Sequence, residues 1–165
     1  MRCPCLRSPY GIFLWLLLVL TSAAATAQEA TPADPIDPCQ AGPALYRDAQ
    51  FEAARSALRA CLDANGPDVE VLLPLVVMGV QNERLTEAME YGATAVELAP
   101  DNAEARYWYG RALLRSNRPD EAKAQWHAGL SQTVDHLGIL EGLARLALAE
   151  NETAQAYQLL SQMQR

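Results

Sequence analysis

Along Ala103 to Ser116, Tyr109, Gly110 and Leu113 fall at i, i+1 and i+4, one stripe of a helix. Ala122, Trp126 and Gly129 draw a second stripe on the segment that follows. The break between them reads SNRPDE. Asn117 suits a stop, and Pro119, Asp120 and Glu121 suit the first turn of a new helix, where proline loses no needed donor and acids face the positive end of the helix dipole. The pattern predicts a helical hairpin over 103–130. Upstream, the run VLLPLVVMGV (71–80) is apolar throughout, which by itself fits a buried strand as well as a helix. Pro74 inside it removes a backbone donor, so a kink or restart is expected there.

Stepping through the chain by 34 residues resolves that ambiguity in favour of helix. Ala54, Ala88, Ala122 and Ala156 lie on one ladder without a gap, and seven residues later come Cys61, Ala95, Gly129 and Met163. A ladder four residues after each alanine gives Leu58, Gly92, Trp126 and Leu160; another gives Gly42, Val76, Gly110 and Ala144. A two-helix unit cannot bury its own apolar face, so copies must stack, with small residues wherever backbones approach closely.

With Gly110, Ala122, Trp126, Ala88, Ala95 and Pro100 in these places, the chain resembles the tetratricopeptide repeat. The resemblance implies an all-α fold, a right-handed α-solenoid of about four helix-turn-helix units over 39–165, divided at 35–68, 69–102, 103–136 and 137–165. It is most specific in unit three. Unit two departs from it, with Val76 where a small residue is usual and Gly92 where an aromatic is usual. In proteins of this family the first helices line a concave groove that grips an extended peptide or chain terminus. Carried over by position, the groove would hold Tyr46 and Arg47 from unit one and Leu73, Val77, Val80 and Gln81 from unit two. Units three and four would add Tyr107, Arg111, Leu114, Arg115 and Arg145. Tyr107, Arg111, Leu114 and Arg115 share a helix face apart from the core stripe. Arg111 and Arg115, like charges one turn apart, cost a few tenths of a kcal/mol in an isolated helix, so something else must favour them. Guanidinium groups on an apolar floor suit a partner with apolar side chains and a carboxylate; the alternative for Arg111 and Arg115 is that they are solvated and balanced by neighbours. Arg145 has Glu141 one turn before it and reads instead as an ion-paired surface residue.

The formal charge is −7, with twelve arginines to one lysine, a bias that points to a GC-rich bacterial source. All twenty acids lie from Glu29 onward; without Arg2 and Arg7 the remaining eleven basic residues leave −9. So acidic a chain is unsuited to phosphate backbones, and no nucleic-acid partner is expected. Arg2 and Arg7, the apolar GIFLWLLLVL and small residues ending at Ala27 have the three parts of an export signal, expected to be cleaved before Gln28. The expected location is therefore periplasmic or secreted; an uncleaved signal would instead anchor the chain in the inner membrane, facing the periplasm. Residues 28–38, QEATPADPIDP, read as a flexible leader. After cleavage two cysteines remain, Cys39 and Cys61, a candidate disulfide in an oxidising compartment, with two buried thiols as the alternative.

No residue constellation for catalysis appears. His127 and His136 lack metal-ligand spacing, and the mature chain has no phosphate loop, nucleophile elbow or C-x-x-C pair. Neither enzyme activity, a cofactor nor a metal is expected. The function expected is a non-catalytic scaffold for a protein or peptide partner in envelope assembly or maintenance. The alternative is a membrane-anchored subunit that assembles through its last repeat, where Tyr157, Leu160 and Met163 would leave an apolar edge open to self-association.

Overall fold

In the computed structural model, which describes residues 37–164, one turn is built four times. Ala49, Glu83, Asn117 and Asn151, spaced by 34, take φ of 57°, 59°, 60° and 63°. In each case the following N–H closes the turn on a carbonyl five residues back: Gln50 on Leu45, Arg84 on Gly79, Arg118 on Leu113 and Glu152 on Ala147. Asparagine tolerates this left-handed backbone through its own side-chain hydrogen bonding, whereas alanine or glutamate adopts it at a cost of about 1–2 kcal/mol. Four such turns make four hairpins.

The hairpins are α1 (Pro38–Arg47) with α2 (Phe51–Asn65), α3 (Val69–Gln81) with α4 (Leu85–Leu98), α5 (Ala103–Arg115) with α6 (Pro119–Gln132), and α7 (Leu137–Ala149) with α8 (Thr153–Gln162). Each first helix has a side-chain cap. Asp37 accepts from Cys39 N at 3.0 Å, Asp68 from Glu70 N at 2.7 Å, Asn102 from Ala105 N at 3.1 Å, and His136 Nδ1 from Ile139 N at 3.2 Å. These satisfy one of the orphan donors that open every helix. Asp37 and Pro38, read from sequence as the end of the leader, are instead the cap and first residue of α1. The expected export signal, 1–27, lies outside the described residues. Among those described, no helix is long and apolar enough to cross a membrane.

The alanine ladder is buried in every hairpin, at Ala54, Ala88, Ala122 and Ala156. Gly79 explains why the rung must be small, since a Cβ there would come within 2.8 Å of the Ala88 methyl. Size alternates between the ladder of Gly42 and that of Leu58. Gly42 faces Leu58 and Gly110 faces Trp126, while Val76 and Gly92 reverse the order in unit two. The space above Gly92 goes to Tyr109 of α5, whose ring would be 2.8 Å from an added Cβ.

Pro74 sits inside α3 without ending it. As the sixth residue it withholds a donor only from the carbonyl of Glu70, an exposed first-turn residue, so helix is retained where a restart was expected. The apolar run is continuous because α3 is enclosed by two units: Val71 and Leu75 pack with Leu58, Leu72 packs with Ala95 and Ala105, and Val76 and Val80 pack with Ala88 and Ala112. Cys39 and Cys61 form a disulfide with Cα atoms 4.9 Å apart, tying α1 to α2.

Candidate functional site

α5 and α7, the first helices of the last two units, come together on glycine. A Cβ on Gly138 would lie 2.8 Å from the Tyr107 ring, and one on Gly142 would lie 2.7 Å from the Trp126 ring. Trp126 is in turn fixed by its indole N–H, which donates to the carbonyl of Tyr107 at 3.1 Å. Beside this contact opens a cleft of about 380 Å³, lined by Tyr107, Arg111, Leu114, Arg115, Trp126, Gly138, Glu141, Gly142 and Arg145. The floor is aromatic and glycine, and the walls are charged.

The three arginines differ in what they hold. Arg115 donates to Glu83 at 2.6 Å and to the carbonyl of Val80 at 3.2 Å, so it ties α5 to the C-terminal end of α3 and the turn beyond it. Arg145 pairs with Glu141 at 2.6 Å. Arg111 has no carboxylate partner among the described residues. Its guanidinium carbon stands 5.0 Å from the ring centre of Trp108 and 5.7 Å from that of Tyr107, and one of its nitrogens donates to the Tyr107 hydroxyl at 3.2 Å. The like-charged pair one turn apart is thus tolerated because one member is neutralised by the preceding unit and the other lies against aromatic faces. The other two nitrogens of Arg111 have no hydrogen-bond partner among the described residues.

A second set of contacts orients Trp108, against which Arg111 lies. The Trp108 indole N–H donates to Glu104 Oε1 at 2.7 Å, and Glu104 Oε2 meets His136 Nε2 at 3.0 Å. Because His136 Nδ1 accepts the cap bond of α7, Nε2 carries the proton donated to Glu104. His136 thus links the capped end of α7 to α5. His127 is exposed.

Five residues of the expected groove meet in this cleft: Tyr107, Arg111, Leu114, Arg115 and Arg145. The unit-one and unit-two residues do not join them. Val77 and Val80 are buried, and Leu73 is half-buried against the Leu72, Ala95 and Ala105 cluster, because α3 is apolar around most of its circumference. Gln81 and Arg47 are exposed, and Tyr46 stands edge-on to Phe51 with ring centres 5.9 Å apart. Sequence reading missed Trp126, Gly138, Glu141 and Gly142 as lining residues. Two glycines four apart at the start of α7 were the available signal, since they mark one side of a helix on which a neighbour can lie close.

The sequence model of the tetratricopeptide repeat matches residues 39–103 and 110–165, and a second model of the same repeat matches 79–136. Solved structures with the same fold include YrrB, described as a TPR protein with an unusual peptide-binding site. It is 22% identical with a TM-score of 0.69, the match covering 76% of this chain and 65% of that one. MamA is 14% identical with a TM-score of 0.72, over 79% of this chain and 78% of that one. TTC0263, a thermophilic TPR protein of Thermus thermophilus, is 18% identical with a TM-score of 0.65, over 76% and 71%. No curated protein matches the chain. At such identities the solved structures establish fold alone, but the repeat model covers most of the chain. The chain belongs to the tetratricopeptide repeat family.

Proposed function

We propose that this protein is a non-catalytic scaffold that binds a protein or peptide partner in the cleft between α5 and α7, and that it works in the bacterial envelope. The observation that carries the reading is Arg111, a guanidinium with no carboxylate partner among the described residues, set over an aromatic and apolar floor in a chain of net charge −7. An arginine so placed favours a carboxylate, and the floor beside it favours an apolar side chain on the same ligand. An extended segment of an acidic partner, or a chain terminus, offers both. YrrB, of the same fold, is described as having a peptide-binding site.

Export is supported by two independent features: the signal-like first 27 residues and the Cys39–Cys61 disulfide, a bond that persists in oxidising compartments. N-terminal sequencing of the protein from cells should start at Gln28; a start at Met1 would instead favour the anchored subunit. For the cleft, the test is fluorescence anisotropy with a library of apolar peptides carrying either a free terminal carboxylate or an amide. Free acids should bind more tightly by about tenfold or more, the scale of one charge-assisted pair, and Arg111→Gln should erase the difference. Equal binding of acid and amide forms would sink the proposal.

A further inference from the structure

In every unit but the last, a fixed set of positions is covered by the unit that follows. Tyr46 packs half-buried against the cluster containing Val71 and Leu75 of α3, Val80 packs in one cluster with Ala112 of α5, and Leu114, at the edge of the cleft, packs half-buried against the cluster containing Ile139 and Leu143 of α7. Leu58 lies with Val71 and Leu75, Gly92 lies under Tyr109, and Trp126 lies against Gly142. Stepping 34 residues on, these positions become Leu148 and Leu160. Leu58, Val80 and Trp126 are no more than 1% exposed, whereas Leu148 is 52% and Leu160 43% exposed, with Tyr157 between them at 76%. Leu148, Tyr157 and Leu160 give the fourth unit an exposed apolar face.

We propose that this face is a two-fold interface between two copies of the chain, α7 and α8 of one against α7 and α8 of the other. Two observations choose the occupant. First, α8 and the two residues after it, Thr153 to Gln164, contain no charged side chain in a protein of net charge −7. Two like-charged copies repel least where each is neutral, and burial of leucine and tyrosine there meets no desolvation cost of charge. Second, the leading face of the stack cannot fill the gap. The positions by which α3, α5 and α7 seat on the unit before them are Val71, Ala105 and Ile139, all buried, but their equivalent at the start of α1 is the exposed Asp37. The next positions on that face are Gln40, Ala44 and Arg47, polar or small, so head-to-tail stacking would set a polar cap on an apolar acceptor. An isologous pairing sets apolar on apolar and closes without leaving a free end.

The test is sedimentation equilibrium of the purified full chain over a wide concentration range, with the double variant Tyr157→Glu, Leu160→Glu and, separately, Arg47→Glu. The parent should associate reversibly to a dimer and no further, with a dissociation constant on the order of 10 μM, as befits a small interface. The double variant should weaken this by a hundredfold or more while keeping the parent's circular dichroism spectrum, since both positions are exposed; Arg47→Glu should leave it unchanged. A parent that stays monomeric at hundreds of micromolar overturns the proposal and leaves the face to a partner of different sequence. Association that survives the double variant, or chains longer than two that respond to Arg47→Glu, overturns it too.

Discussion

Replacing Gly110 with alanine tests the packing logic of the stack at its tightest point. A Cβ there would stand 2.6 Å from Cδ1 and 2.8 Å from Cε2 of Trp126. Carbon atoms rest at about 3.5–4.0 Å, so the ring must move by most of an ångström. It has nowhere to go: the indole is 1% exposed, its N–H is held by the Tyr107 carbonyl at 3.1 Å, and its far edge lies against Gly142. Overpacking costs about 1–3 kcal/mol and a strained or broken buried hydrogen bond about 1–3 more, while alanine returns about 1 kcal/mol of helix propensity. The net expectation is a loss of about 3 kcal/mol, read from urea unfolding followed by circular dichroism. Unit four carries Ala144 and Leu160 at the same two positions, so Trp126→Leu should offset the clash. Alone, that change leaves a cavity costing about 2–4 kcal/mol, but the double variant should be less destabilised than the sum by at least about 1 kcal/mol. A Gly110→Ala variant within about 0.5 kcal/mol of the parent, or strict additivity in the double variant, would refute the reasoning.

Ala49→Gly should stabilise by about 0.5–1 kcal/mol, because φ of 57° strains alanine, while the entropy of glycine in the unfolded chain takes back part of the gain; thermal unfolding checks this. Changing Cys39 and Cys61 to serine should cost about 3 kcal/mol on the chain-entropy model for a separation of 22 residues, and reductant should have a matching effect on the parent alone. Burial raises the Tyr91 phenol above its ordinary 10.0, and the hydrogen bond to Glu150 raises Lys123 above 10.5. Both contributions are fully present below the unfolded-state values and disappear as pH rises through the folded ones. Stability should therefore fall from about pH 10 upward, with a shallower decline in a Tyr91→Phe, Lys123→Met variant. Arg115→Ala should lower stability by about 1 kcal/mol through loss of Glu83 and the Val80 carbonyl, whereas Arg111→Ala should change it by less than about 0.5 kcal/mol. Unfolding curves for the two would separate a structural arginine from a binding one.

The architecture was legible because it is written at one period. Ala54, Ala88, Ala122 and Ala156 are visible as a ladder and are buried as one, and the break at Asn117 falls on a residue that accepts positive φ. The equivalent turns at Ala49 and Glu83 were not visible, since neither residue type advertises a left-handed backbone. In α3 local composition left strand and helix open, because it does not reveal that units on both sides enclose the segment; the 34-residue register decided for helix, and the helix runs through Pro74 without a restart. The cleft was half legible. Helix periodicity places Tyr107, Arg111, Leu114 and Arg115 on one face, but which arginine is already engaged depends on Glu83, 32 residues away. Val77 and Val80, carried into the groove by register, are buried, and an all-apolar helix offers no polar stripe to mark its open side.

The most direct test of the central claim is capture from an extract of the host's own envelope on immobilised parent protein, with Arg111→Glu and Arg47→Glu run beside it. The account predicts a partner retained by the parent, lost by Arg111→Glu and kept by Arg47→Glu, an exposed arginine outside the cleft. Equal retention by the parent and Arg111→Glu would contradict it and place recognition outside the cleft.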